Sequence, residues 1–394
     1  MIDQIKSLSG QFLADVIDIR RHLHAHPELS FKEHETAAFI ERKLDQLGFE
    51  GVERIADTGV TFVLKGPTLG KTLALRADID ALPIGEKNDV PYRSKHEGVM
   101  HACGHDVHTA SLLGAARILK ELKEHIQGEI KFIFQPGEER LPGGASILIK
   151  EGILENPRPS KILGQHVMPL IESGKVGFRS GMYMASADEI HFTVHGRGGH
   201  AAMPESLIDP VLITSHIIVA MQQIVSRRSS PKVPSVVSFG DIHGNGATNV
   251  IPDFVKVQGT FRTYNEDWRD EAHQLMKDMA EGMAKSMGGS CDFEVRKGYP
   301  HLQNEPIYTA RNRKAAEEYL GEENVEDLDL WLAGEDFAFY SHHVDACFYR
   351  LGTANTARGI TSGVHTPTFD IDESALEIGM GLMAYLALNE LNTQ

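Results

Sequence analysis

Apolar and polar positions in the first third of the chain alternate between a helical period and a strand period. Residues 5–23 and 34–47 carry apolar side chains at helical spacing, and the second run ends at Gly48, a common helix stop. Strand-like runs follow at 61–65, 72–76, 129–135 and 161–167, and helical patterns lie between them at 107–122 and 144–149. Strands that alternate with helices predict an α/β fold with a mixed, largely parallel sheet and helices on both faces.

A different pattern begins near residue 185. Strand-like runs lie at 186–195, 235–242, 253–263 and 291–296, and long helical patterns lie at 206–226 and 268–287. These elements lack the βαβ rhythm and predict a separate α+β domain of roughly 110 residues. From residue 298 the first pattern returns, with helices near 307–320 and 375–391 and a strand at 346–351. We therefore expect a catalytic domain, residues 1–184 and 298–394, interrupted by an inserted domain at 185–297.

Composition narrows the class of protein. The chain has 394 residues, 24% of them charged, and a formal net charge of −16, which disfavours non-specific binding to nucleic acid or to an anionic membrane. Its 3 cysteines are too few for a disulfide framework. No apolar run reaches the ~20 residues of a membrane-spanning helix, and no secretory signal is visible. We expect a soluble, cytoplasmic protein.

Polar residues follow three of the predicted strands. Asp78 and Asp80 come after the strand at 72–76, Glu138 and Glu139 after the strand at 129–135, and His166 lies at the end of the strand at 161–167. Loops beyond the carboxyl ends of parallel strands form the ligand crevice of such a sheet. Any one of these acids could be structural, but together they favour a metal or acid/base site. Adjacent side chains diverge on an extended backbone, so Glu138 and Glu139 could divide general-base and ligand roles.

The densest cluster of potential ligands is the segment His-Ala-Cys-Gly-His-Asp-Val-His at 101–108. Cys103 and His105, two residues apart on a glycine-containing loop, could reach one soft divalent cation such as Zn²⁺. The alternative is a helix N-cap at Asp106 with solvent-exposed histidines, and for His101 and His108 singly we expect that exposed state. A thiol nucleophile at Cys103 stays open, and the glycine-rich segment 196–200 lacks the established nucleotide-binding patterns.

An ordered set of segments resembles the amidohydrolase branch of the dinuclear zinc-peptidase superfamily, which includes aminoacylases, hippurate hydrolases, plant auxin-conjugate hydrolases and N-acetyl-diaminopimelate deacetylases. The segments are RRHLHAHPELSFKE from Arg20, LRADIDALPI from Leu75, MHACGHDVHTA from Met100, FQPGEE from Phe134, GQHV from Gly164, GRGGHAAMP from Gly196, TNVIP from Thr248, GTFR from Gly259, AGEDFAFY from Ala333 and HTPTFD from His365. They span nearly the whole chain. The resemblance implies a zinc-peptidase-like catalytic domain whose inserted domain acts as a lid and supports a homodimer in relatives.

The resemblance also assigns site residues. The implied ligands of two divalent ions (Zn, Mn, Co or Ni) are Cys103, His105, Glu139, His166 and His365. Glu138 is the implied general base, and the bound metals lower the pKa of water and polarise the scissile carbonyl.

Substrate-contacting residues follow from the same resemblance. His200 matches an oxyanion-stabilising histidine, and Asn249 and Arg262 match positions that hold the substrate carboxylate. Many peptidase relatives have His-x-Asp where this chain has Asp78-Ile79-Asp80, so Asp80 is expected to have only a supporting role.

The expected function is metal-dependent hydrolysis of N-acyl-L-amino acids to a carboxylic acid and an amino acid. Alternatives within the same chemistry are a dipeptidase and an N-acetyl-diaminopimelate deacetylase. Alternatives outside it are a thiol hydrolase that uses Cys103 and an inactive homologue that only binds small molecules.

Overall fold

The structure is a computed structural model that describes residues 1–393. The helices are α1 (Ile2–Ala25), α2 (His34–Gln46), α3 (His105–Glu121), α4 (Gly144–Lys150), α5 (Pro210–Gln223), α6 (Glu266–Ser286), α7 (Pro306–Leu320), α8 (Ala338–Ser341) and α9 (Ala375–Asn392). The strands are β1 (Glu53–Ile55), β2 (Gly59–Lys65), β3 (Thr68–Asp78), β4 (Gln127–Gln135), β5 (Lys161–Glu172), β6 (Val176–Phe178), β7 (Gly181–Met184), β8 (Asp188–His195), β9 (Gly199–His200), β10 (Ser235–His243), β11 (Val250–Ile251), β12 (Phe254–Thr263), β13 (Ser290–Arg296), β14 (Leu302–Asn304), β15 (Val325–Asp327) and β16 (Asp345–Ala354). Within residues 1–393, no helix is both long and apolar enough to cross a membrane.

The chain forms two compact units. Unit 1 comprises Met1–Gly181, Gln303–Asp329 and the described residues from Asp336 onward, and unit 2 comprises Met182–Leu302 and Leu330–Glu335. The inserted domain expected at 185–297 stays a prediction, because compactness alone does not show that a segment folds as a domain of its own.

Unit 1 is built on an eight-stranded sheet with the order β1-β2-β4-β3-β5-β16-β6-β15. Its central strands β4, β3, β5 and β16 run parallel, whereas β1–β2, β2–β4 and β6–β16 are antiparallel pairs. Every residue of β4 from 130 to 135 is buried, as expected of a strand covered on both faces.

Helices cover both faces of this sheet. On one face α1, α3 and α9 pack together, and Leu351 of β16 lies against Gly379 of α9. Side chains alternate along a strand, so Phe348 points to the other face, where it stacks on Phe337 just before α8 at a centroid distance of 4.8 Å. The predicted α/β fold with a mixed, largely parallel sheet is therefore confirmed.

Unit 2 contains a four-stranded antiparallel sheet with the order β10-β12-β8-β13. Alternate residues of β8, among them Ile190, Phe192 and Val194, are buried in a core shared with α5 and α6. Both helices begin with a side-chain cap, since Asp209 accepts hydrogen bonds at the start of α5 and Asn265 at the start of α6. The short strands β9 and β11 pair separately and bring His200 beside Val250.

Candidate active site

The candidate site lies in unit 1, where the carboxyl ends of β3 and β4 meet the beginning of α3. Gly104 precedes α3 with a φ of 81°, and a Cβ there would lie 2.6 Å from a methyl group of Val167 on β5. Only glycine fits this left-handed conformation and close approach. Gly104 therefore brings Cys103 and His105 against β5, which carries His166.

The structure brings all five candidate metal ligands together. Cys103 Sγ lies 3.5 Å from His166 Nε2 and 3.3 Å from His365 Nε2. His365 Nε2 lies 3.2 Å from Glu139 Oε1, and the same oxygen lies 3.9 Å from His105 Nε2. Two sets of ligand atoms, each within 4.8 Å of one another, share the thiol: Cys103, His105 and His166, and Cys103, Glu139 and His365.

The unsatisfied atoms at this cluster fit divalent cations. Within residues 1–393, His105 Nε2 and Glu139 Oε1 are buried and have no hydrogen-bond partner. Buried polar atoms that make no hydrogen bond are costly unless a ligand satisfies them. Thiol, imidazole and carboxylate together are the ligand set that Zn²⁺ prefers. The cluster therefore suits a metal centre.

Charges in the site complement a bound cation. Burial, reinforced by Glu139 and Glu138, raises the pKa of the Cys103 thiol well above its usual range. Burial opposes the charged form of His105, but Asp78 and Asp80 outweigh it and raise the pKa of the imidazole to about 10. Without a metal, protons balance the carboxylates of this cluster, and metal binding would displace them.

Asp80 holds two parts of the site at once. Its Oδ1 lies 3.1 Å from His105 Nδ1, which directs Nε2 towards the candidate ligands. Its Oδ2 accepts the Ser30 hydroxyl at 2.6 Å and the backbone N–H of Glu139 at 3.0 Å. This is the geometry of a residue that orients ligands.

His108 supports β5 rather than the candidate ligand set. Its Nε2 accepts the backbone N–H of Val167 at 2.8 Å, and its Nδ1 lies 2.5 Å from Asp78 Oδ1. Both ring nitrogens are thus engaged. Burial opposes ionisation of Asp78, yet His105, His108 and Arg76 hold the pKa of its carboxyl well below its usual range.

Two expectations for this region were wrong, and the alternative of a cap at Asp106 is not seen. His101 and His108 are each only 1% exposed rather than solvent-exposed. Asp106 does not cap α3 and instead accepts a hydrogen bond from Arg20 at 2.8 Å. Buried partners from distant segments explain the positions of His108 and Asp106.

The expected divergence of Glu138 and Glu139 also fails, because both carboxylates lie 3.9 Å from His105 Nε2. The reason is the turn at Gly137, whose φ of 62° ends the extended backbone before the two glutamates.

A buried network behind the site was not foreseen from the sequence. The Arg76 guanidinium donates to Asp78 at 2.6 Å, to Gln135 at 2.9 Å and to Asp336 at 2.8 Å. Asp336 also accepts the backbone N–H of Ala145 at 2.9 Å. The backbone N–H of Asp336 in turn donates to Glu138 Oε1 at 3.3 Å. Asp336 lies in the segment AGEDFAFY, which is part of the family resemblance but to which the sequence alone assigned no function.

The remaining predicted residues lie in unit 2. His200 is exposed, and its Nδ1 accepts the backbone N–H of Ala202 at 3.1 Å, so Nε2 carries the proton of a neutral ring. The backbone carbonyl of Asn249 accepts the N–H of Ala201 at 3.0 Å, which places Asn249 beside His200.

Arg262 lies on β12, where its Nε donates to Thr260 at 3.1 Å. It makes no ion pair with any residue in the described part of the chain, and burial lowers its pKa.

Comparison with known proteins identifies the family. The sequence-family model of peptidase family M20/M25/M40 matches residues 74–389 of this chain. An N-acetyl-L-cysteine deacetylase from Bacillus subtilis is 40% identical over 92% of this chain and 84% of its own. A thermostable carboxypeptidase from Saccharolobus solfataricus is 35% identical over 100% of this chain and 99% of its own.

A solved structure agrees with these sequence relatives. A Bacillus subtilis protein described as a dinuclear metal-binding peptidase of the M20 family superimposes with a TM-score of 0.84, at 34% identity over 98% of this chain and 99% of its own. The resemblance seen in the motifs is confirmed. This chain is a hydrolase that belongs to peptidase family M20/M25/M40.

Proposed function

We propose that this protein hydrolyses the amide bond of N-acyl-L-amino acids and that its catalysis depends on metal ions. The observation that carries the proposal is the position of Glu138, a carboxylate only 6% exposed whose Oε2 lies 3.9 Å from a candidate ligand atom, His105 Nε2. The similarity to an N-acetyl-L-cysteine deacetylase supports the choice of an N-acylated amino acid.

Two divalent ions, of Zn, Mn, Co or Ni, would be held by Cys103, His105, Glu139, His166 and His365. The two overlapping ligand sets that share Cys103 support a pair of ions rather than one. When bound, the ions supply Lewis acidity for the attacking water and for the scissile carbonyl.

Glu138 would move the proton. Its carboxylate takes a proton from water as the water oxygen attacks the carbonyl carbon, and it passes that proton to the amine nitrogen as the C–N bond breaks. The Asp336 N–H donates to Glu138 Oε1 and thereby fixes the direction of the carboxylate. Asp80 would act through His105 and through the backbone of Glu139, as a positioning residue.

Recognition of the substrate would fall to residues of unit 2. The guanidinium of Arg262, which has no ion-pair partner within residues 1–393, suits a carboxylate through a bidentate pair. Asn249 would add an amide donor for the same carboxylate. His200 would donate its Nε2 proton to the oxyanion that forms at the carbonyl.

The proposal extends to the setting of the reaction. A formal net charge of −16 supports a small-molecule substrate rather than nucleic acid or an anionic membrane surface. We propose a cytoplasmic enzyme in which residues 185–297 form a lid domain that also mediates a homodimer.

A peptidase is the second candidate, because the similarity to a carboxypeptidase covers the whole chain. A deacetylase of N-acetyl-diaminopimelate would differ from the leading candidate in its acyl pocket and in the groups that recognise the amine. A thiol hydrolase is disfavoured, since the raised pKa of Cys103 keeps a metal-free thiol protonated. A protein that only binds small molecules would have no use for a general base at Glu138.

The test is turnover of a panel by metal-loaded protein, with and without a chelator. The panel contains N-acetyl and N-benzoyl amino acids, N-acetyl-diaminopimelate and several dipeptides. We expect chelator-sensitive cleavage of the N-acyl amino acids, restored by added metal. Cleavage confined to dipeptides would favour the peptidase, and no turnover by protein that has bound metal would favour the binding homologue.

A further inference from the structure

A buried carboxylate outside the proposed machinery lies behind the turn that carries Glu138. Glu33 is 0% exposed and forms no ion pair within residues 1–393. It accepts three hydrogen bonds, from the N–H of Phe31 at 2.9 Å, the N–H of Gly137 at 2.8 Å and the hydroxyl of Thr58 at 2.8 Å. A buried carboxylate without a cation lowers the stability of the fold, and its hydrogen bonds offset part of that cost.

The local helix does not explain Glu33. Although Glu33 occupies the N-cap position of α2, its side chain makes no capping hydrogen bond. The carboxylate reaches instead across 104 positions of sequence to the backbone of Gly137. Its role therefore concerns the turn at Gly137 rather than the start of α2.

The turn at Gly137 is packed against the same N-terminal segment. A Cβ on Gly137 would lie 2.2 Å from the ring of Phe31, and both residues have positive φ, 62° and 63°. The carbonyl of Gly137 accepts the N–H of Gly144 at 3.0 Å. Gly137, which precedes Glu138, is therefore fixed by hydrogen bonds at its N–H and its carbonyl and by the ring of Phe31.

The peptide that follows Glu138 is held from the same segment through Asp80. The N–H of Glu139 donates to Asp80 Oδ2, and the Ser30 hydroxyl donates to the same oxygen at 2.6 Å. Ser30, Phe31 and Glu33, here called the bracket, thus fix the backbone on either side of Glu138. All three lie outside residues 74–389, the part that the family model matches.

We propose that Glu33 is a positioning residue for hydrolysis: through the Gly137 N–H it fixes the turn that aims the Glu138 carboxylate. The inference rests on the proposed function in that Glu138 serves as the general base. Displacement of a base by about 1 Å can cost on the order of 100-fold in rate. Loss of the Glu33 acceptor should therefore lower kcat and leave KM nearly unchanged.

The test compares Glu33→Ala with Glu33→Gln and with Thr58→Val. Gln keeps an oxygen that accepts the Gly137 N–H, and Thr58→Val removes only the hydroxyl partner of Glu33. We expect kcat with saturating metal to fall about 10- to 100-fold in Glu33→Ala, with KM within about twofold. Glu33→Gln and Thr58→Val should stay within about threefold of wild type.

Amide hydrogen exchange on the metal-free proteins supplies a readout independent of turnover. Peptides that cover residues 137–139 should exchange faster in Glu33→Ala but not in Glu33→Gln, while peptides from α7 should be unchanged. Unchanged exchange in Glu33→Ala, faster exchange with unchanged kcat, or an equal loss of kcat in Glu33→Gln would each overturn the proposal.

If Glu33→Ala does not fold, Phe31→Ala carries the test, because it removes the ring against Gly137 and leaves Glu33 in place. Faster exchange at residues 137–139 is expected, and unchanged exchange would contradict the bracket. Wild-type protein that binds metal but cleaves no amide would instead refute the proposed function, so the two failures are distinguishable.

Discussion

Unit 1 and unit 2 each bury an arginine at the centre of a carboxylate network. Arg76 is 0% exposed and Arg269 is 1% exposed, and each bonds two carboxylates. Arg269 donates to Asp188 at 2.8 Å and to Glu266 at 2.7 Å. Its carboxylate Asp188 accepts the N–H of Gly298 at 3.0 Å, which ties the first strand of the unit 2 sheet to the chain that follows the last.

The carboxylates around Arg76 hold different groups. Asp78 lies 2.5 Å from His108, which in turn fixes the backbone next to His166, and Asp336 directs its N–H to Glu138. The same type of buried ion pair therefore stabilises the fold in unit 2 and supports the candidate site in unit 1. The groups that the carboxylates hold, rather than burial itself, distinguish the two networks.

The largest expected effect concerns the metal cluster of unit 1. Cys103→Ala removes the thiol that both ligand sets share, so we expect loss of bound metal and a fall in kcat of more than about 1,000-fold. Cys347→Ala is the matched control, because that thiol is 0% exposed in β16 and belongs to neither ligand set. Metal content and turnover of both variants measure the difference. Full metal content in Cys103→Ala would break the assignment.

The next effect tests the two arginines directly. Arg76→Met and Arg269→Met each remove the guanidinium from a buried carboxylate network, and both should lower the free energy of unfolding by about 3–5 kcal/mol in urea titrations. Turnover per folded molecule should fall about 100-fold only in Arg76→Met, because only Arg76 supports Glu138 and His166. Equal losses of turnover in the two variants would contradict the claim that only the Arg76 network supports the candidate site.

A smaller effect is expected for substrate recognition in unit 2. Arg262→Lys keeps the positive charge but loses the planar fork that binds a carboxylate through two hydrogen bonds. KM for an N-acyl amino acid should rise about tenfold, and kcat should change less than KM. A change confined to kcat would assign Arg262 to the chemical step instead.

The smallest effect concerns the pH dependence of unit 2. Burial opposes ionisation of Glu266, but hydrogen bonds from His301 and the charge of Arg269 lower its pKa to about 2. The lowered pKa stabilises the fold above pH 4.5, the ordinary value, and this contribution disappears as the pH falls to about 2. Wild type should exceed Glu266→Gln in unfolding free energy by about 1–3 kcal/mol at pH 6, and by much less near pH 2. A difference that does not depend on pH would refute this assignment.

The sequence predicted those site residues that lie close together along the chain or directly after a strand. Ligands that follow strands, such as His166, and the pair Cys103 and His105 at the start of α3 are visible as spacing along the chain. The α/β alternation likewise predicted the sheet of unit 1, because hydrophobic period is a local property.

Contacts between distant segments were not predictable in this way. Arg76 and Asp336 are 260 positions apart, and Glu33 and Gly137 are 104 apart. Hydrophobic period carries no information about such pairs. For the same reason His101 and His108 were expected at the surface, although the fold buries both and pairs His108 with Asp78 and Val167.

The most direct test of the account is Glu138→Gln, which keeps the shape of the side chain and removes its basicity. Metal content and kcat are measured on the same metal-loaded sample, with wild type as reference. The account predicts full metal content and a fall in kcat of about 1,000-fold, the scale of general acid–base catalysis. Full metal content with wild-type turnover would contradict the assignment of Glu138 as the base and the mechanism built on it.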